Sequence, residues 1–176
     1  MTYFFPFKSA RAFYAVLAAV CIGLLAFGYY LQYFAGQEPC PLCIFQRLGY
    51  FAIGCIGLVG AIHAPRGLGV LGYSGTVLLT ALTGAGIASR QVWLQHLPPD
   101  QVPECGPGLD YMLDVFPLAD ALRRVFSGSG ECAEVTWTLL SLSIAGWSLI
   151  CFVVIAVLAW AHCWSSVLRR LKGGTI

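Results

Sequence analysis

The chain has 176 residues, of which 59% are hydrophobic and 10% charged, against about 45–50% and about 25% in an average soluble domain. With a mean hydropathy of +0.78, it carries more apolar surface than one water-soluble core of this size can hide, which excludes a soluble globular enzyme and a disordered chain. A net charge of +2 is too small for a nucleic-acid binder. The composition predicts an integral membrane protein, a single domain over residues 1–176.

In chain order, the first run fit to cross a bilayer is Ala12–Phe34, free of charge. Spanning takes about 20 mostly apolar residues, and backbone groups in hydrocarbon must bond internally, which makes helices the expectation. Lys8 and Arg11 before it resemble the charged start of a signal peptide. The run is too long for that, and bulky Tyr29, Tyr30, Tyr33 and Phe34 stand where small cleavage-site residues belong, which predicts an uncleaved first span. A short loop, 35–43, leads to the second run, Ile44–His63, whose one charge is Arg47 in its first turn. The tight turn Ala64-Pro65-Arg66-Gly67 leads to the third, Leu68–Ala88. A long segment, 89–141, then separates it from the fourth, Leu142–His162. The fold class expected is therefore all-α, a four-transmembrane-helix bundle.

An even number of spans puts both termini on the side of the Pro65 turn. That side holds Lys8, Arg11, Arg66, Arg169, Arg170 and Lys172 and no acid, while Glu38, Asp100, Glu104, Asp110, Asp114, Asp120, Glu131 and Glu134 all fall on the other. Excess Lys and Arg marks the cytoplasmic face, so the termini are expected in the cytoplasm and the loops 35–43 and 89–141 outside it. Within the long loop, Leu109, Met112, Leu113 and Phe116, then Leu118, Leu122, Val125 and Phe126, recur at near-helical spacing around Pro117. This predicts a short amphipathic helix, lying flat on the outer membrane surface or packed on its own bundle. Ser127-Gly128-Ser129-Gly130 follows as a flexible linker running into Cys132.

The eight cysteines sort by depth. Cys21, Cys55, Cys151 and Cys163 fall in or at the cytoplasmic end of the spans, where a thiol packs as a small hydrophobe. Cys40, Cys43, Cys105 and Cys132 fall on the outward side, and an even count there is what paired thiols in an oxidising compartment predict. Cys40-Pro41-Leu42-Cys43 is a C-x-x-C at the start of the second span, where the helix dipole favours a thiolate, the attacking form. Arg47 lies one turn deeper. A charge inside a span is costly and usually functional. It reads either as an arginine snorkelling to the interface or as a group stabilising a thiolate or an electron-rich oxygen. Cys105 sits in the uncovered stretch Pro103-Glu104-Cys105-Gly106-Pro107-Gly108 and Cys132 follows the Ser/Gly linker. A bridge between them reads as a staple worth roughly 3–4 kcal/mol or as an exposed, labile disulfide that takes part in exchange. A four-thiolate zinc site is a third reading, though zinc favours paired short ligand spacings and only one C-x-x-C exists here.

Pro39-Cys40-Pro41-Leu42-Cys43-Ile44-Phe45-Gln46-Arg47, the later Ser129-Gly130-Glu131-Cys132, and the four-span layout resemble the disulfide bond formation protein B family of bacterial inner-membrane thiol:quinone oxidoreductases, over nearly the whole chain. The resemblance implies that Cys105 and Cys132 form a second-loop disulfide that oxidises a periplasmic thioredoxin-fold dithiol oxidase, with Cys105 the sulfur attacked by that partner. It implies further that Cys132 links to Cys40, and that Cys43 faces ubiquinone or menaquinone beside Arg47, with no metal. His96, in Trp93-Leu94-Gln95-His96-Leu97-Pro98, falls where the family has a histidine associated with the quinone; taken alone it reads as an interfacial residue. Two rivals are a quinone reductase resembling vitamin K epoxide reductases, whose C-x-x-C comes near the end of a late span, and a non-catalytic tetraspan scaffold with a stapled outer loop, in which Arg47 beside a C-x-x-C has no purpose.

Overall fold

A computed structural model describes residues 9–102, 117, 120, 130–135 and 137–173. Four long helices dominate it: α1 Ala10–Phe34, α2 Pro41–His63, α3 Leu68–Gln95 and α5 Ile144–Gly173, all long and apolar enough to cross a membrane. Between α3 and α5 come a 3-10 turn, Pro99–Gln101, a short helix α4, Gly130–Ala133, and a two-stranded hairpin, β1 Thr138–Leu139 with β2 Leu142–Ser143. The all-α four-helix membrane architecture expected from composition is the one observed. Cys105, nearly all of the amphipathic stretch Leu109–Phe126, and Ser127, Gly128 and Ser129 lie outside the described residues.

The helix ends follow local chemistry. The Ser9 hydroxyl accepts from the Ala12 N–H at 3.2 Å and caps α1. Pro41 opens α2 at its first position, where a missing N–H costs nothing. Between α2 and α3 the chain reverses through Ala64, left-handed at φ 47°, whose N–H reaches back to Gly60 O at 3.0 Å, and through Gly67 at φ 62° and ψ −120°, a conformation that suits glycine alone. The helices run beyond the expected spans at Ala10, Pro41 and Gly173, and two further ends depart from hydropathy. Helix α3 runs on past Ala88 to Gln95, because its polar last turns are partnered: Arg90 lies 4.2 Å over the Trp93 ring and Gln91 is buried among side chains. Helix α5 starts at Ile144, because Leu142 and Ser143 pair as β2 with Leu139 and Thr138. The Ser143 hydroxyl then accepts the Gly146 N–H at 3.2 Å.

The helices pack in the order α1 on α2, α2 on α3, α3 on α5. Their common core holds Leu17, Cys21, Ile53, Val77, Ala81, Phe152 and Ala159. Small residues bring backbones together, as in other membrane bundles. A Cβ at Gly60 would stand 2.9 Å from the Tyr14 ring, and one at Gly84 would overlap the Phe152 ring. Large apolar side chains point outward around the bundle, among them Ile62, Leu79, Val157 and Trp160, a surface suited to acyl chains rather than water. At the Pro65 end a buried polar network ties three helices: the Tyr14 hydroxyl lies 2.9 Å from Ser74 Oγ, which lies 3.0 Å from His162 Nδ1, and Phe13 stacks on the His162 ring at 4.3 Å. At the opposite end a smaller core of Cys40, Leu42, Leu94 and Cys132 brings α4 onto α2 and α3.

Candidate active site

Cys40 is the N-cap of α2, and Cys43 lies in its first turn. The extended backbone at Cys40 (ψ 162°) lets its carbonyl accept the Ile44 N–H at 3.1 Å, which starts the helix and sets both sulfurs on the same end of it. Their Sγ atoms stand 3.2 Å apart as hydrogen-bonded thiols. The sequence reading expected Cys132 on an exposed hinge. It is instead fully buried in α4 and in hydrogen-bond contact with Cys40, because α4 packs its one thiol into the apolar contact made by Leu42 and Leu94. Three of the four cysteines that the sequence groups on one side of the spans are thus adjacent, in the order Cys132, Cys40, Cys43. The fourth, Cys105, lies outside the described residues. Hydrogen bonding to Cys132, then to Cys43, together with burial, pushes the Cys40 thiol well above the ordinary range, so Cys40 holds its proton.

Two residues that sequence reasoning passed over complete the cluster. Gln91, from the part of α3 beyond the expected span, is 4% exposed. Its Nε2 lies 3.3 Å from Cys40 Sγ and 3.2 Å from Cys43 Sγ. Its Oε1 accepts from Gln46 Nε2 at 2.7 Å, and Gln46, one turn below Cys43, is equally buried. A pair of amides inside apolar helices was the available signal, since burying an unpartnered amide is costly.

Arg47 turns toward α1. Its Nη1 donates to Gln32 Oε1 at 2.5 Å, its Nη2 to the Gly28 carbonyl at 3.0 Å, and its guanidinium lies 5.0 Å over the Tyr29 ring. This leaves it on the wall of a cavity of about 1030 Å³ that Cys40, Cys43, Gln46 and Gln91 also line. Leu24, Phe27 and Leu31 of α1 and Ile144 and Trp147 of α5 supply apolar walls. Tyr50, also on the wall, is stacked on Phe152 at 4.2 Å and donates its hydroxyl to the Ser148 carbonyl at 3.1 Å. The hairpin stands beside the cavity, with Trp137 against Phe27 at 6.1 Å and Trp147 Nε1 donating to Leu139 O at 3.0 Å. His96 stands apart from this group: it ends α3, is exposed, does not line the cavity, and keeps its Nδ1 2.7 Å from Val92 O.

A thiol pair hydrogen-bonded to a third cysteine is a layout for disulfide exchange. Known proteins agree. The family model of disulfide bond formation protein DsbB matches residues 10–162. The chain is similar to a disulfide bond formation protein B of Azoarcus sp. (strain BH72), 51% identical over 152 residues, 86% of this chain and 91% of that protein. One from Aromatoleum aromaticum is 51% identical over 166 residues, 94% of this chain and 96% of its own. One from Hahella chejuensis is 46% identical over 154 residues, 88% and 93%. With thiols adjacent at the mouth of a four-helix bundle and relatives matched across most of their length, this chain belongs to the disulfide bond formation protein DsbB family and is a disulfide-forming membrane protein.

Proposed function

We propose that the protein is an inner-membrane thiol:quinone oxidoreductase. In this reading it reoxidises a periplasmic thioredoxin-fold dithiol oxidase and passes the electrons to ubiquinone or menaquinone, with both termini in the cytoplasm. The observation that carries the proposal is the sulfur series Cys132, Cys40, Cys43 ending on the wall of a cavity with apolar residues from α1 and α5, with Arg47 of α2, and with Glu38, Glu131 and Glu134 also in its lining. Such a cavity suits a flat head group with carbonyl oxygens and a long apolar tail. The residues that would hold it are Arg47, with Gln46 and Gln91 nearby, between walls from Leu24, Phe27 and Ile144. When bound, a quinone supplies a two-electron, two-proton acceptor.

The chain's own steps follow from thiolate chemistry. A partner thiolate attacks Cys105 of the Cys105–Cys132 disulfide; a partner–Cys105 bond forms, the loop disulfide breaks, and the electron pair leaves on Cys132 Sγ. The partner's second thiol closes its own disulfide and releases Cys105. Cys132 attacks Cys40 of the oxidised Cys40–Cys43 pair; the Cys132–Cys40 bond forms, the Cys40–Cys43 bond breaks, and the electron pair leaves on Cys43 Sγ. Cys105 then re-forms the loop disulfide with Cys132 and leaves Cys40 reduced beside Cys43. Burial of Cys132 against Cys40 removes most of the cost of bringing these sulfurs together. Arg47 places a fixed positive charge on the cavity wall, where a low dielectric strengthens it.

The test mixes purified protein in lipid nanodiscs with a reduced thioredoxin-fold dithiol protein and either quinone, following free thiols and quinone absorbance together. One disulfide formed per quinone reduced is expected, and none in Cys40→Ser or Cys43→Ser variants that keep their helical circular dichroism. Wild-type protein that consumes no thiol, or a folded Cys43→Ser variant with full quinone reduction, overturns the reading.

A further inference from the structure

We infer that Gln91 is a catalytic residue of the thiol pair, its amide N–H stabilising the Cys43 thiolate, and that Gln46 is the positioning residue that keeps that amide aimed at the sulfurs. The inference deepens the proposed function and rests on its assignment of Cys43 as the sulfur that receives the electron pair. Three observations carry it. Gln91 Nε2 sits within 3.3 Å of both sulfurs, nearly equidistant. Its other end is held by Gln46, since Oε1 accepts from Gln46 Nε2 at 2.7 Å and lies 3.5 Å from Cys43 Sγ, farther than Nε2 at 3.2 Å. Both amides are buried at 4% exposure, so little of either faces the cavity they line.

An amide has an acceptor end and a donor end, and the acceptor end would repel a thiolate. The Gln46 hydrogen bond selects the orientation with the donor nearer the sulfur, Nε2 at 3.2 Å from Cys43 Sγ and the clamped Oε1 at 3.5 Å. When Cys132 attacks Cys40 and the Cys40–Cys43 bond breaks, the electron pair arrives on Cys43 Sγ, 3.2 Å from a donor already in place. Preorganised donors at a point of developing charge lower the barrier without reorganising. The helix N-terminus acts in the same direction, and so does Arg47, though its shorter reach is taken up by Gln32 and Gly28 on α1. The titratable and charged groups around the pair are Cys132 and Glu131 of α4, Glu134 just after it, Glu38 from the preceding loop, and Arg47 of α2. Gln91 carries no charge, so its contribution stays constant while those groups titrate.

The test measures the pH dependence of Cys43 alkylation by iodoacetamide in the reduced full chain in micelles, read by mass spectrometry, alongside thiol:quinone turnover and thermal stability. Gln91→Leu, close in volume but without a donor, is expected to move the alkylation midpoint up by about one pH unit, a tenfold fall in the thiolate-to-thiol ratio at a given pH, and to slow turnover with it. Gln91→Glu is expected to move it further, because a carboxylate repels the thiolate. Gln46→Leu is expected to give a smaller shift in the same direction, with Gln91 present but unclamped. An unchanged midpoint in folded Gln91→Leu, or a wild-type midpoint in Gln91→Glu, overturns the inference. Quinone turnover in wild-type protein with no midpoint shift in the variants would sink the inference alone. A midpoint shift in a protein that reduces no quinone would sink the proposed function and leave the inference standing.

Discussion

Arg47 holds a charge half-buried in a spanning helix, and its three contacts with α1 explain how it stays there: two donated hydrogen bonds and a ring face absorb part of its desolvation. Those contacts leave both readings of the residue testable. If Arg47 serves an electron-rich oxygen in the cavity, Arg47→Ala lowers kcat/KM for quinone by about 10²-fold. Arg47→Lys then recovers only part, since a lysine keeps the charge without the planar fork that reaches Gln32 and Gly28 together. If it only anchors the helix, stability falls and quinone kinetics stay normal. Steady-state assays across quinone concentrations, with melting curves on the same samples, separate the two. Cys40 offers a second residue-scale prediction. Its proton is held first by the Cys132 contact. A thiol raised in this way is less ionised than a free cysteine at any pH below its own midpoint, so alkylation of Cys40 stays slow well into alkaline solution. Removing the Cys132 sulfur by Cys132→Ala takes away the largest cause, and the Cys40 alkylation midpoint should move down in pH. A midpoint that stays in place would assign the shift to burial instead.

Hydropathy located all four spanning helices, because runs of apolar residues in hydrocarbon leave the backbone only one regular option. It misplaced the ends of α3 and α5, where hydropathy stops being the deciding force. Gln91 looks like a terminator until its amide is seen between Gln46 and two sulfurs. Leu142 looks like a span residue until it is seen paired with Leu139 across a turn in which Leu140 and Ser141 both take positive φ. Helix-to-helix fit was equally hidden, since glycine spacing says nothing about which side chain fills the gap. At α3 and α5 the gap at Gly84 is filled by Phe152, which in turn stacks on Tyr50 of α2. Gly84→Ala should therefore cost about 1–3 kcal/mol, by forcing the ring off its seat. Adding Phe152→Leu should return part of that loss, because the smaller side chain vacates the volume the new methyl needs. Denaturation of both single variants and the double variant in micelles measures the coupling, and strictly additive losses would mean that the two residues do not compete for one space.

Across the whole molecule, chemistry and stability sit at opposite ends. The Cys40 end holds Cys40, Cys43 and Cys132, both amides, Arg47 and the cavity, groups whose arrangement suits reaction more than packing. The C-x-x-C and its arginine were legible in the sequence, because residue type and spacing carry that signal along one helix. The adjacency of Cys132 and the amide pair was not, because it depends on how α3 and α4 meet α2. The Pro65 end, by contrast, is tied by Tyr14, Ser74 and His162, one residue from each of α1, α3 and α5. Ser74 is the middle member and fully buried. Ser74→Ala removes the hydroxyl that joins the Tyr14 phenol to the His162 ring, and loss of a partner in a buried network costs about 1–3 kcal/mol. In micelles this should appear as a melting temperature lower by several degrees. Thiol oxidation and quinone reduction at a temperature where the variant is folded should stay within about twofold of wild type, since none of these three residues lines the cavity. A variant that melts normally but turns over slowly would show that the network at the Pro65 end governs the reacting end, and would remove the division of labour between them.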